Sequence, residues 1–285
     1  MTAAGRVRAV NLDVTWHAGS PSPKHDTHPP LQVHRYDEQT WILRQNKAVN
    51  YEGPFLFLLA GTERAMLVDT GATADPAHFP LRDTIDELIG SERELLVVHT
   101  HAHGDHVAAD AQFEDRPSTT VVGKSLDDVT SFYGLTDWPV KNATLDLGDR
   151  VVDVIPGPGH QESAVVFYDR TTGLLLTGDT LYRGRLYVFD WSAYRATIAR
   201  LVDFCAANPV THVLGCHIEM STKPGHDYPI GAVHQPDEPP LQMTVDHLHA
   251  LRDALDVVGD DMGIHYFDDF VIHRHAVHDH TAEHR

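Results

Sequence analysis

The chain is expected to fold as an α/β protein, and two observations predict it. Apolar runs of strand length alternate with stretches of helical apolar period through most of the 285 residues. Several of those runs also end in a loop bearing His or Asp, at Asp69, 101–106, His160, Asp179 and His217. Loops held at the ends of a rigid sheet are where binding sites are usually built.

Each element has its own signal. SPSPKHDTHPP (20–30) is a Pro-rich loop within the N-terminal segment and not a domain boundary. Residues 41–43, 55–59 and 65–68 read as strands, the last running into Asp69-Thr70-Gly71. LRDTIDELIG puts Leu81, Ile85, Leu88 and Ile89 on one helical face and stops at Gly90. Residues 95–98 form a buried-strand run, 104–114 can be helical, 119–122 is a strand and 126–132 a helix. ATLDLGDRVVDVIPGPGH reads as two short strands around Gly148-Asp149, and SAVVFYDRTTGLLLTGDT as a hairpin turning at 171–173. WSAYRATIARLVDFC sets Tyr194, Ile198, Leu201, Val202 and Cys205 on one stripe, which reads as core. A short strand at 213–214 ends at Cys216-His217, and an amphipathic helix begins near Thr244 with Val245, Leu248, Leu251 and Leu255 inward. One domain over 1–285 is expected: a core at 41–220, a loop and helix at 221–270, and a disordered His-rich tail, HRHAVHDHTAEHR, at 273–285.

Composition narrows the function. At 42% hydrophobic and 22% charged residues the chain has an ordinary globular make-up. No apolar run approaches the roughly 18 residues of a membrane span, and MTAAGRVRAVNLDVTWHAG lacks the apolar stretch of a signal peptide. Cys205 and Cys216 do not make a disulfide framework, so a cytoplasmic protein is expected. The formal charge of −19, with 22 scattered basic residues against 41 acidic ones, argues against nucleic acid and membrane partners. A small-molecule substrate is expected, and the sequence does not decide between a monomer and a homodimer.

The stretch VVHTHAHGDH crowds four histidines and an aspartate behind an apolar strand. Within it, 101–106 has the form H-x-H-x-D-H. On a tight loop, residues two apart can converge on one ion while the adjacent Asp-His pair turns towards a second. Ala102 and Gly104 leave room for that approach. Imidazole and carboxylate together suit Zn²⁺, Fe²⁺ or Mn²⁺. His160 follows the stiff turn Pro156-Gly157-Pro158-Gly159, Asp179 sits in Thr177-Gly178-Asp179-Thr180, and His217 follows Gly215-Cys216. Each has a plain structural reading alone; together they supply what a pair of ions would still lack.

In Asp69-Thr70-Gly71, 100–106, Pro158-Gly159-His160, 177–180 and His217, in this order, the sequence resembles the metallo-β-lactamase superfamily over about residues 41–220. The resemblance implies a four-layer αβ/βα sandwich with its site along one edge of two sheets. It implies that His101, His103 and His160 hold one metal ion and Asp105, His106 and His217 another. Asp179 would bridge the two, with Asp105 and Asp179 as the catalytic carboxylates and Asp69 supporting the ligands from behind. His99 lies outside the ligand pattern and reads as a supporting or packing residue.

The implied cofactor is two Zn²⁺, with Fe²⁺ or Mn²⁺ as alternatives. Such a pair makes hydroxide available near neutral pH and polarises a carbonyl. No GxSxG elbow competes, and Cys216 reads as packing rather than as a nucleophile. TGDTLYRGRLYVFDW resembles thioesterase-like members such as glyoxalase II, where Arg183 and Arg185 could meet a substrate carboxylate. The C-terminal binding pattern of glyoxalase II is not recognisable. KPGHDYPIGAVHQPDEPPLQM (223–243) is instead placed to roof the site, with His226, Tyr228 and His234 as candidate contacts. The expectation is hydrolysis of a thioester, lactone or carboxylic ester. Phosphoester or β-lactam hydrolysis, a mononuclear-iron persulfide dioxygenase and a non-enzymatic zinc module are the alternatives.

Overall fold

The structure, a computed structural model, describes residues 12–275; residues 1–11 and 276–285 lie outside that range. Six strands form the first sheet in chain order: β1 (Leu31–Arg35), β2 (Thr40–Gln45), β3 (Phe55–Ala60), β4 (Arg64–Val68), β5 (Glu94–Val98) and β6 (Thr119–Val121). The first four make an antiparallel meander, and β4, β5 and β6 run parallel. Parallel neighbours need crossovers. Helix α1 (Leu81–Ile89) serves β4 to β5, and the short α2 (Gly104–Val107) with a 3₁₀ turn at Asp110–Phe113 serves β5 to β6.

After α3 (Leu126–Tyr133), which Ser125 caps in a reciprocal bond with Asp128, the second sheet begins. It takes β7 (Ala143–Asp146), β8 (Val151–Pro156), β9 (Val165–Asp169) and β10 (Leu174–Gly178). β11 (Arg185–Val188) leaves it, α4 (Trp191–Ala207) crosses over, and β12 (His212–Gly215) returns parallel to β10. After α5 (Val245–Val258), β13 (Gly263–Tyr266) and β14 (Val271–Arg274) join β11 in a three-stranded sheet.

Side-chain alternation along the strands defines the layers. In β3, Phe55, Phe57 and Leu59 face Val152, Val154 and Phe167 of the second sheet. Leu56, Leu58 and Ala60 face the other way, towards Phe79, Leu81 and Ile85 around α1. In the second sheet Val166, Tyr168 and Leu175 turn outward onto Tyr194, Ile198 and Leu201 of α4 and Leu248 and Leu251 of α5. The result is helix, sheet, sheet, helix: the expected αβ/βα sandwich. Because β3 and β10 are covered on both faces, they read as unbroken apolar runs.

One expectation changes. The tail does not start at His273: His273 and Arg274 belong to β14, because Val271 and Ile272 are fully buried against β11 in parallel register. The rest of that tail, 276–285, lies outside the described residues. Residues 31–35, to which the sequence reading assigns no element, form the edge strand β1. Among the described residues no helix is long and apolar enough to cross a membrane.

Candidate metal centre

The chain delivers its polar residues to one edge, where strands of both sheets end. There Val165 N–H donates to Thr100 O (2.8 Å) and Phe55 N–H to Cys216 O (2.7 Å), stitching sheet to sheet. The loop carrying Asp179 approaches the histidine loop so closely that a Cβ on Gly178 would stand 2.6 Å from Thr100 Cβ. Glycine at 178, with φ +51°, is required there.

Two groups of donor atoms converge. In the first, His160 Nε2 lies 3.3 Å from His101 Nε2 and 3.0 Å from His103 Nδ1. In the second, His217 Nε2 lies 3.2 Å from His106 Nε2 and 3.2 Å from Asp105 Oδ2. Donors about 2.0–2.1 Å from a shared tetrahedral ion stand about 3.3 Å apart, and these separations match that spacing. Asp179 faces both groups. Its Oδ2 is 3.8 Å from His160 Nε2 and 3.9 Å from His101 Nε2, while its Oδ1 is 3.5 Å from both His106 Nε2 and His217 Nε2. That Oδ1 is buried without a hydrogen-bond partner, a costly state for a carboxylate unless a cation meets it. The donor set fits a pair of metal ions.

The rings are aimed from behind. His160 Nδ1–H donates to Tyr187 O (2.7 Å), His217 Nδ1–H to Glu52 O (3.1 Å) and His106 Nδ1–H to Asp69 Oδ2 (2.9 Å). Each bond turns an Nε2 lone pair inward. Burial holds the His101 and His160 imidazoles below their usual pKa and takes His103 to about 3, which keeps this group neutral and free to ligate. In the second group burial would do the same, but Asp179 and Asp105 outweigh it and raise His217 to about 9. A metal ion would compete there with protons.

Asp69 is wholly buried and adopts φ +65°, in the left-handed region that Asp tolerates better than most side chains. Thr100 donates its N–H to Oδ1 (2.7 Å) and its hydroxyl to Oδ2 (2.8 Å), and Cys216 Sγ approaches Oδ2 at 3.4 Å. Cys216 is thus a free thiol packed behind the site, its pKa pushed well up by burial, and not a nucleophile facing the cavity. His99 donates from Nε2 to Asp110 Oδ1 (2.9 Å), which also takes the Thr70 hydroxyl (2.8 Å). Thr70 N–H in turn donates to His106 O (2.7 Å), so His99 stands behind the loop and outside both groups.

A third grouping, His17, Asp26 and His28, lies elsewhere. Gly19 N–H donates to His17 Nδ1 (3.1 Å), which leaves the ring proton on Nε2, the atom facing Asp26. This grouping reads as a hydrogen-bonded cluster, not a ligand set.

A cavity of about 660 Å³ opens over the centre, with His103, Asp105, His160, Asp179 and His217 on its floor. Segment 223–243 contributes wall residues as expected, but through Pro229, Ile230, Gly231, Ala232 and Gln235. The three residues expected from it turn elsewhere. His226 is exposed outside the lining, Tyr228 Oη accepts from Asp237 N–H (2.8 Å), and His234 pairs with Gly19 in an isolated bridge. Arg183 also lies outside the lining, paired with Asp269. Arg185 lines the cavity, yet Asp227 and Glu219 already neutralise its guanidinium at 2.8 and 2.7 Å. Lys47, Asn50, Tyr51 and Glu52, on the connection between β2 and β3, form a wall that no periodic or motif signal in the sequence marks.

Residues 52–261 match the metallo-beta-lactamase superfamily, and the chain belongs to that family. It is 32% identical over 139 residues to a hydroxyacylglutathione hydrolase of Rhizobium meliloti, covering 47% of this chain and 53% of that protein. It is 26% identical over 202 residues to the acyl-coenzyme A thioesterase MBLAC2 of Bos taurus, covering 57% and 72%. The chain thus spans about half the length of the hydroxyacylglutathione hydrolase. In fold it is similar to a metallo-beta-lactamase from Pontibacter korlensis, with a TM-score of 0.53, 17% identity and coverage of 79% of this chain and 99% of that one.

Proposed function

We propose that the chain is a metal-dependent hydrolase of a small-molecule thioester, or of a related lactone or carboxylic ester. His101, His103 and His160 would hold one metal ion, Asp105, His106 and His217 a second, and Asp179 both. Zn²⁺ suits this donor set best, with Fe²⁺ and Mn²⁺ sharing its taste for imidazole and carboxylate. When bound, such a pair supplies Lewis acidity towards an acyl oxygen and hydroxide at neutral pH.

The chain's own contribution is orientation and charge. Main-chain carbonyls and Asp69 fix the ring directions, and Asp105 and Asp179 bring two negative charges to a buried place. His103 and Asp105 are the ligands on the cavity floor nearest solvent, where a substrate first meets the site. The cavity volume suits a small molecule. The single observation that carries this reading is Asp179, with one oxygen turned to each donor group. The names of both sets of relatives favour acyl thioesters among the candidate bonds.

The test is elemental analysis of the purified protein, followed by a panel of thioesters, lactones, carboxylic esters, phosphotriesters and β-lactams. Near two equivalents of metal and turnover strongest on a thioester are expected. One equivalent of iron with oxygen consumption on a persulfide would overturn the hydrolase reading.

A further inference from the structure

Among the described residues the cavity lining holds two side chains of lysine or arginine type, Lys47 and Arg185. The charge of Arg185 is spent on Glu219 and Asp227. Lys47 is different. It is 1% exposed, and its stem runs through a channel that two glycines leave open: a Cβ on Gly53 would lie 2.5 Å from Lys47 Cγ, and one on Gly19 2.9 Å from Lys47 Cβ. The ammonium donates to Tyr51 O (3.1 Å) and Glu52 O (3.3 Å). An ammonium has three N–H groups, and no described carboxylate pairs with this one. One donor remains, on a side chain that lines the cavity. Glu52 O also accepts from His217 Nδ1–H (3.1 Å), so Lys47 stands one carbonyl away from the second donor group.

Keeping a cation in such a place is expensive. Burial first, then the charge of Arg44, pushes its pKa down to about 8. An apolar side chain would fill the channel without that cost. Departures of this kind from the stable choice concentrate at functional sites.

We propose that Lys47 anchors the substrate by donating a charge-assisted hydrogen bond to a carboxylate, so that the site prefers an ester or thioester bearing a free carboxylate. The proposal rests on the hydrolase reading. One compact ammonium with one spare donor suits a single small anion. A carrier rich in phosphate would need several unpaired basic groups, and Arg185 is already neutralised. The nearby acids Glu238 and Glu219 are occupied as well, by Arg44 at 2.6 Å and Arg185 at 2.7 Å.

The test uses two substrate pairs. One pairs the monothioester of a dicarboxylic acid with its terminal amide, placing the anion on the acyl half. The other pairs a thioester of a mercaptocarboxylic acid with its amide, placing the anion on the leaving half. In one pair the unaltered protein should favour the acid by about ten- to a hundredfold in kcat/KM, as one charge-assisted bond allows. Lys47→Met should bring that ratio near one, and Lys47→Arg should keep part of it. Equal rates on acid and amide in both pairs overturn the proposal without any variant, so a poorly folding Lys47→Met does not protect it. A preference that survives in a folded Lys47→Met overturns it too. If none of the four is hydrolysed, the thioester reading of the site fails for these acyl and leaving groups, and calorimetry with the free dicarboxylate then decides on Lys47. Weaker binding to Lys47→Met supports the anchor, and equal binding overturns it.

Discussion

Asp69 and His106 are joined by a 2.9 Å hydrogen bond between two wholly buried side chains, and the same Asp69 oxygen holds the Thr100 hydroxyl. Thr100 Oγ1 in turn accepts from His101 Nδ1–H at 3.1 Å. One carboxylate thus anchors a histidine of each donor group, one directly and one through a hydroxyl.

Asp69→Asn should therefore weaken both groups together. The amide tolerates the left-handed backbone, so the fold should survive. It cannot accept from Thr100 and His106 at an –NH₂ position, however, so His106 loses its anionic partner and His101 the anion that holds its Thr100 hydroxyl. Metal affinity or activity should fall about 10- to 100-fold, the usual effect of removing a ligand's supporting partner. Chelator competition measures it, and loss confined to one equivalent would show that Asp69 does not couple the groups.

The third sheet makes a separate prediction. His160 is oriented by the carbonyl of Tyr187 on β11, and β11 is held by β14, where Ile272 is fully buried. Ile272→Ala should cost about 2–5 kcal/mol of stability as a core truncation. It should also loosen metal binding by letting β11 shift. Ile85→Ala, a similar truncation on α1, should cost stability alone. Denaturant melts and chelator titrations on both variants make the comparison, and equal metal affinity in the two would remove β14 from the site's support.

Ile230 tests the roof. It lines the cavity while remaining 58% exposed, so truncating it opens the wall without unsettling a core. Ile230→Ala should leave stability within about 0.5 kcal/mol and metal content unchanged. It should reorder kcat/KM among substrates of different acyl size by up to about tenfold. An unaltered ranking would make this segment ordinary surface.

How much of this was legible follows from what each feature depends on. Strands such as 55–60 read well because burial on both faces leaves a continuous apolar run. That the seven ligand candidates would come together was legible because their chemistry resides in residue type and order. The wall was not. Whether Arg185 offers a free charge depends on Glu219 and Asp227, which lie 34 and 42 residues away, and no local pattern records that pairing. His226 and His234 were attractive for their side chains, but hydrogen bonds of their loop decide where those point. Lys47 and Glu52 sit on a hairpin connection without periodicity, and only the folded edge brings them beside His217.

The reading of two ions is most exposed at Asp179. Its Oδ1 faces His106 and His217 and its Oδ2 faces His101 and His160, so its charge serves both groups. Asp179→Asn keeps the shape and removes that charge. Activity should fall at least about a hundredfold, a few kcal/mol of transition-state stabilisation. Bound metal should fall towards one equivalent or less, since affinity depends on anionic ligands. Were Asp179 only a turn residue, its loss would cost roughly 1 kcal/mol of stability, as a lost cap does, and would spare turnover per folded molecule. The orphaned Oδ1 caps nothing, which leaves only Oδ2 for such a role. Melting temperature, bound metal and rate on one preparation separate the two readings: a variant that melts slightly lower but keeps two metals and its parental rate would leave Asp179 no bridging function.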